Sequence, residues 1–473
     1  MHPGPVFSPY LSGDWHDDPT LFVLPSINAR TLGDTKLSFG PRMMALTTVA
    51  NLAYFFSVFC FFQMLPVPAE VQPFAVLFCA LGLAYSRVRV GVAHALIIFS
   101  LLLSALVGIF NVYGGAVSVF AFLSSAAALT FGPIVFAFFA RAGGPSRALN
   151  QLVLFFLSGF ALVQVFAPGV LESTGASGVI QRFIPRFSSE ILAEWDRGVT
   201  LLAPEPANMA PIIFMLACVY ALEAEDKSLS WQRRLFMITA IVVLVVTNKS
   251  LTMYLIVFLF SLVYVLFRYG LAVVFLGGGA IVALLVWGGD LSSSQLGGGR
   301  LATFTTLLTS FSSDSILLLD NLTGSRFSTL AVAYTGFSHL GFGLGSWDFR
   351  FLELASHFDY DIFAAESWRL RGGAENIKPA SIFAVAAIDM GVLGLVYVTA
   401  VGVLLLRSFR RIERSSPIRR SVAITSFLMI AIGGTPITLP AFWVVLGIAA
   451  SQPKVRRCGG TAERHVACCA RER

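Results

Sequence analysis

The chain has 473 residues, 56% hydrophobic and only 12% charged, with 43 phenylalanines and a formal net charge of +7. Soluble domains carry about one-quarter charged residues, so this composition excludes an ordinary soluble globular protein and fits an all-α polytopic membrane protein. The positive balance does not imply a nucleic-acid partner, because the basic residues are sorted by connection along the chain rather than gathered in one patch.

Residues 1–42 are polar and rich in Pro, Gly and Asp, without the basic start and short apolar core of a secretory signal. They read as a cytoplasmic tail, and the DWHDD cluster from Asp14 to Asp18 reads as a solvated acidic turn. Residues 43–450 form the transmembrane domain. Apolar segments recur there at 43–65, 70–86, 90–112, 115–140, 150–168, 207–223, 234–248, 251–267, 270–287, 381–406, 421–435 and 438–450. Their lengths approach the roughly 17 to 25 residues that span a bilayer as a helix, and the expectation is about 12 crossings. The GGTPITLP stretch from Gly433 removes backbone donors, so 421–450 is expected as a broken pair rather than one helix.

Alternate short connections carry Arg87 and Arg89; Arg141 and Arg147; Lys227, Arg233 and Arg234; Arg268; and Arg407, Arg410, Arg411, Arg414, Arg419 and Arg420. The intervening short connections carry only Lys249. Positive charge marks the cytoplasmic side, so both termini are expected in the cytoplasm. Two long intervals, 169–206 and 288–380, then fall outside. Long structureless loops tend to be functional, and short helices over the outer mouth of the bundle are expected. The basic tail 451–473 holds Cys458, Cys468 and Cys469 near His465 at a spacing that matches no zinc pattern.

The external intervals and the helices they enter hold the candidate site residues. In RGVTLLAPEPA, Arg197 to Ala207, the two prolines fix Glu205 at a helix entrance, either as a site carboxylate or as a complement to the helix dipole. In SRFSTLAVAYTGFSHLGFGLGSW, Arg326 is followed by His339 and by Gly341, Gly343 and Gly345. An imidazole titrates near neutral pH, which suits a general base, though a packed hydrogen-bonder fits the same residue. The alternating glycines let the backbone approach a ligand or another helix closely. No strand-to-helix unit surrounds them, so they form no nucleotide loop. In ENIKPASIFAVAAIDMGVLGL, Ser381 is positioned to cap a helix after Lys378 and Pro379. Asp389 then lies about 12 Å further along, where a charge should face the interior, a water-filled pocket or a basic partner.

Arginine binds phosphate oxygens through a planar fork. Arg182, Arg186, Arg197, Arg300 and Arg326 are therefore candidates for an anionic substrate, or else pair with nearby carboxylates. Arg197, Arg300 and Arg326 each have a threonine three residues on, at Thr200, Thr303 and Thr329. Trp347, Trp368 and Tyr360 are rings suited to stacking on sugars or to interfacial anchoring. The Asp359-Tyr-Asp361 triplet is discounted as a metal site, because the nucleotide sugars that such a motif serves are absent outside the cell.

Taken in order, the Arg-Gly and Glu-Pro pairs before a mid-chain helix, the external Arg, FSHLGFGLGSW and KPASIFAVAAIDMGVLGL resemble the O-antigen ligase and polysaccharide polymerase family of bacteria, over roughly 150–450. The polymerase branch is the closer likeness, because Lys378-Pro379-Ala380-Ser381 stands where ligases carry a histidine. The usual Ser-Arg between two helices here reads Asn248-Lys249-Ser250. The resemblance implies a metal-independent, cofactor-free glycosyltransferase of the bacterial inner membrane. It would join undecaprenyl-diphosphate-linked glycans at the outer leaflet, among membrane lipids and beside a chain-length regulator and a flippase. It also implies that Arg197 and Arg326 bind diphosphate or glycan, and that Glu205, His339 and Lys378 line the site. Two other readings are an O-antigen ligase and a transporter of lipid-linked sugar, the second disfavoured because its helices should carry more mid-membrane charge.

Overall fold

The computed structural model describes residues 41–64, 71–86, 91–184, 199–226, 230–271, 273, 326–347, 353–354, 381–413, 415–432 and 438–451. A short unit, Met1–Met44, is distinct from one compact unit, Ala45–Arg473. Of the first, only 41–44 are described, as the opening turn of a helix.

The described residues are helical and contain no strand. The helices are α1 (Pro41–Val58), α2 (Phe74–Tyr85), α3 (Val92–Tyr113), α4 (Val119–Ala142), α5 (Arg147–Phe166) and the short α6 (Pro168–Ser173) and α7 (Ala176–Phe183). They continue with α8 (Pro206–Asp226), α9 (Trp231–Asn248), α10 (Leu251–Tyr269), α11 (Arg326–Thr335), α12 (Ile382–Val385), α13 (Val392–Glu413), α14 (Pro417–Ile432) and α15 (Ala441–Ala450). Each apolar segment expected from the sequence coincides with a helix, except 270–287, which lies almost wholly outside the described residues, and 381–406, which is broken.

Seven of these helices are long and apolar enough to cross a membrane: α3, α4, α5, α8, α9, α10 and α13. The helices α1, α2 and α15 are apolar but shorter. Their surfaces fit a bilayer. Leu102 and Phe110 of α3 are 66% and 69% exposed, an outward apolar face that water would penalise and lipid accepts. The chain is thus a multi-pass α-helical membrane protein.

At the centre stands α8, whose most apolar stretch is 67% buried against 22% for α3. It packs on α5, α9, α10 and α15, and nothing charged occurs in its first sixteen residues. Glycine sets the closest approach between α4 and α15. A Cβ on Gly132 would lie 2.2 Å from the Trp443 ring, and one on Gly144 would meet Ile448. The two helices therefore run parallel at van der Waals contact.

Cross-helix contacts give the relative direction of several helices. Asn51 Oδ1 accepts from Ser146 N at 2.6 Å and Tyr54 donates to Asn150 at 2.5 Å, so α1 and α5 run together. Gln164 near the end of α5 meets Leu201 just before α8, and Asn248 at the end of α9 donates to the Pro206 carbonyl at 2.9 Å. Arg419 at the start of α14 donates to Ser451 O at 2.9 Å, and the Arg420 guanidinium lies 5.4 Å from the Phe267 ring near the end of α10. As a result Arg141, Arg147, Arg233, Arg234, Arg268, Arg407, Arg410, Arg419 and Arg420 gather at one end, here the basic end. Residues 199–206, Lys249 and 336–347 lie at the other, here the loop end.

Candidate functional site

Asp389 organises the loop end. The segment 381–406 does not form one helix: after α12 the chain widens into a π turn over Ala386–Met390, and Gly391 adopts φ 54°. In a continuous helix the Asp389 carbonyl would accept from residue 393. Here it accepts instead from Phe342 N at 3.0 Å and Gly343 N at 2.9 Å, while Val392 N donates to the His339 carbonyl at 2.9 Å. The glycine-rich loop is thus laid into the break.

The Asp389 side chain closes this clasp. Its carboxylate accepts from Gly345 N at 3.1 Å, Ser346 Oγ at 3.1 Å and Trp347 N at 2.8 Å, and the residue is fully buried. Three donors converging on one acid suit an ionised carboxylate, which only accepts. Of the three settings open to Asp389 in the sequence, the structure chooses the interior, with two backbone amides and the Ser346 hydroxyl as its partners.

The loop is also held from below. Leu344 N donates to Ser104 O at 3.1 Å, and Asn111 Nδ2 donates to the Phe342 carbonyl. A Cβ on Gly341 would lie 2.2 Å from Met390 O. One on Gly343, at φ 91°, would lie 2.4 Å from Gly108 N, and one on Gly345, at φ 88°, 2.7 Å from Phe122 N. The close approach these glycines permit is therefore to protein backbone. Of the two partners the sequence left open, a ligand or another helix, the structure gives the helix, so Gly341, Gly343 and Gly345 do not bind substrate: the space over them is already filled.

Trp347 is a second correction. Its side chain is 2% exposed and packs with Val117, Ala121, Leu330 and Ile388, so its ring has no face available to a sugar. His339 differs from both. Its backbone is tied to Gly336 O and Val392 N, yet its imidazole is exposed at the start of the loop, 6.1 Å from the Phe342 ring. Leu340 beside it is 86% exposed.

Residues 199–206 form a second rigid support. Leu201 is buried at φ 52°, a conformation that costs a non-glycine residue about 1–3 kcal/mol. Gln164 holds it from both sides, accepting from Leu201 N at 3.0 Å and donating to Leu201 O at 3.5 Å, and Val199 N donates to Thr247 O at 2.9 Å. Pro206 opens α8, where a missing N–H costs nothing, and the Glu205 carbonyl accepts from Asn208 N at 3.1 Å. Within this buried stretch Glu205 alone is exposed. The Asn248 bond to Pro206 sets Lys249, also exposed and at φ 45°, against the same stretch.

Arg182 is exposed on α7, whose end receives the Gln63 N–H through Phe183 O at 2.8 Å, at the loop end. Arg326 is the first residue of α11. Arg186, Arg197, Arg300 and Lys378, with Trp368, Tyr360 and the Asp359-Tyr-Asp361 triplet, lie outside the described residues. Sequence reasoning did not single out Gln164, Asn111 or Ser104, the groups that anchor both supports. For Gln164 and Asn111 the one signal was a polar side chain within an apolar span, whereas Ser104 acts through its backbone carbonyl, which the sequence does not mark.

Exposed Arg182, Glu205, Lys249 and His339 therefore share one end of the bundle, two of them on backbone fixed by buried hydrogen bonds. Such a face offers cations for an anionic group and a carboxylate and imidazole for proton transfer. No family model matches the sequence, and no curated protein and no solved structure is found to be similar to it.

Proposed function

We propose that this chain is a metal-independent glycosyltransferase that polymerises undecaprenyl-diphosphate-linked oligosaccharide repeats at the outer face of a bacterial cytoplasmic membrane. It would have about 12 crossings and cytoplasmic termini. The observation that carries the reading is the division of labour between the two ends. The arginines of the short connections sit at one end, as cytoplasmic loops do. The other end presents Arg182, Glu205, Lys249 and His339, the last beside the segment that Arg326 begins.

In the proposed reaction a sugar hydroxyl of one lipid-linked repeat attacks the anomeric carbon of the chain held on a second carrier. The new glycosidic bond forms as the anomeric carbon–oxygen bond to the diphosphate breaks. Glu205 or His339 takes the hydroxyl proton, and the arginines neutralise the departing diphosphate. Loss of one such preorganised donor typically costs about 2.7–4 kcal/mol of barrier.

The test is purified protein in lipid vesicles with a defined lipid-linked repeat and no energy source. Wild type should lengthen the chain, and Arg326→Ala and Arg197→Ala should each slow it by about 100- to 1000-fold. Wild-type chain lengths from both variants would overturn the mechanism. A wild type that joins no repeats would overturn the function.

A further inference from the structure

The second inference concerns the opposite end of the bundle and does not rest on the proposed reaction. Helices α5 and α9 run parallel there and begin side by side, with the Phe155 and Phe236 rings stacked at 5.8 Å. Between their first turns lies an open groove of about 470 Å³ lined by Gln151, Gln232, Arg233, Phe236 and Met237. Neither helix has an acidic residue in its first turn, and neither Ser146 nor Ser230 caps its helix with a side-chain bond. Two positive dipole ends therefore face the same edge, although at α5 the Ser146 N–H is taken by Asn51 and the Leu149 N–H by the Ser146 carbonyl.

Arg233 lines the groove, and two further guanidiniums lie at the same end. Arg233 and Arg234 are exposed on α9. Arg147 opens α5, one turn before Gln151, and both it and Arg234 lie within electrostatic range of the Tyr220 phenol on α8. The Nε and Nη2 of Arg147 are shut off from solvent and have no acceptor among the described residues, a costly state for charged donors. The carboxylates Glu223 and Glu225 lie on the last turns of α8, which is neither of the helices that form the groove, and neither lines it.

Below this polar rim the walls are apolar and face outward: Leu152, Phe155 and Phe236 are 64%, 58% and 50% exposed. A donor-rich rim above an outward apolar wall matches a phosphodiester joined to acyl chains. The geometry points to a bound anionic phospholipid of the leaflet at the basic end, its phosphate between Arg233, Gln232 and Gln151 and its chains along Phe155 and Phe236. A free phosphate would satisfy the rim and leave the wall uncovered. Charge complementarity thus names the headgroup, and the wall names a lipid as its source.

The test uses full-length protein in a neutral detergent, titrated with phosphatidylglycerol, phosphatidylcholine or glycerol 3-phosphate and read by native mass spectrometry. Phosphatidylglycerol should bind wild type well above phosphatidylcholine. The double variant Arg233→Gln/Arg234→Gln should weaken it by roughly thirtyfold, equivalent to about 2 kcal/mol at about 1 kcal/mol per basic residue. Arg407→Gln/Arg410→Gln removes the same charge from exposed positions on α13 at the same end, and should change binding by less than about threefold. Equal loss in both double variants would mean a diffuse basic surface and would overturn the site. Binding of glycerol 3-phosphate as tight as that of the lipid would overturn the lipid assignment.

Discussion

Asp389→Asn tests the clasp with the smallest change of shape. The asparagine keeps one acceptor oxygen for Ser346 Oγ and Trp347 N but turns an NH2 toward Gly345 N, where the carboxylate now accepts at 3.1 Å. One hydrogen bond to a charged group is lost, worth about 1.5–3 kcal/mol, and the two that remain become neutral. The clasp should lose about 3 kcal/mol, which is on the order of one hundredfold in its opening equilibrium at about 1.4 kcal/mol per tenfold. A cysteine in place of Leu344, which is 2% exposed and bonded to Ser104 O, reports that opening by its labelling rate. The background would carry serine at Cys458, Cys468 and Cys469, while Cys60, Cys79 and Cys218 are buried and give a slow baseline. Labelling should accelerate about one hundredfold in Asp389→Asn. A rate within twofold of the parent would refute the view that the carboxylate holds the loop.

Gly343→Ala should destabilise by about 2–5 kcal/mol, because φ 91° disfavours a side chain and the new carbon would meet the Gly108 backbone. Gly402→Ala, with nothing within 4 Å of the added carbon, is the control. The apparent Tm of both in detergent checks this. Trp347→Ala should cost about 3–5 kcal/mol as a core truncation; an unchanged Tm with a raised KM for glycan would instead restore a sugar-stacking role. Glu205→Gln and His339→Ala alter exposed side chains and should shift stability by less than about 0.5 kcal/mol. Each should lower the rate of repeat joining in vesicles by about 100-fold or more if it carries the proton, and the pH profile of the rate should identify which one does.

Length and hydropathy alone determined the helical membrane class and the seven helices long enough to cross a membrane, because about 20 consecutive apolar residues have no other stable use. The arginines of the short connections alternate along the chain, and the cross-helix bonds from Asn51, Gln164, Asn248 and Arg419 agree with the alternating relative directions of the helices they join. The prolines around Glu205 correctly marked a helix start, since Pro206 suits that position by its own local geometry. Contacts between distant segments escaped that reading. The break at Gly391 is invisible in an apolar run, because it exists only when Phe342 and Gly343 supply the donors that residue 393 would have offered. Whether GFGLG faces a ligand or protein, and whether Trp347 is presented or buried, depended on α3, α4 and Asp389 arriving from elsewhere in the chain. A glycine states only that something comes close. Tertiary structure decides what, since the occupant of that space is set by long-range packing rather than by the residues beside it.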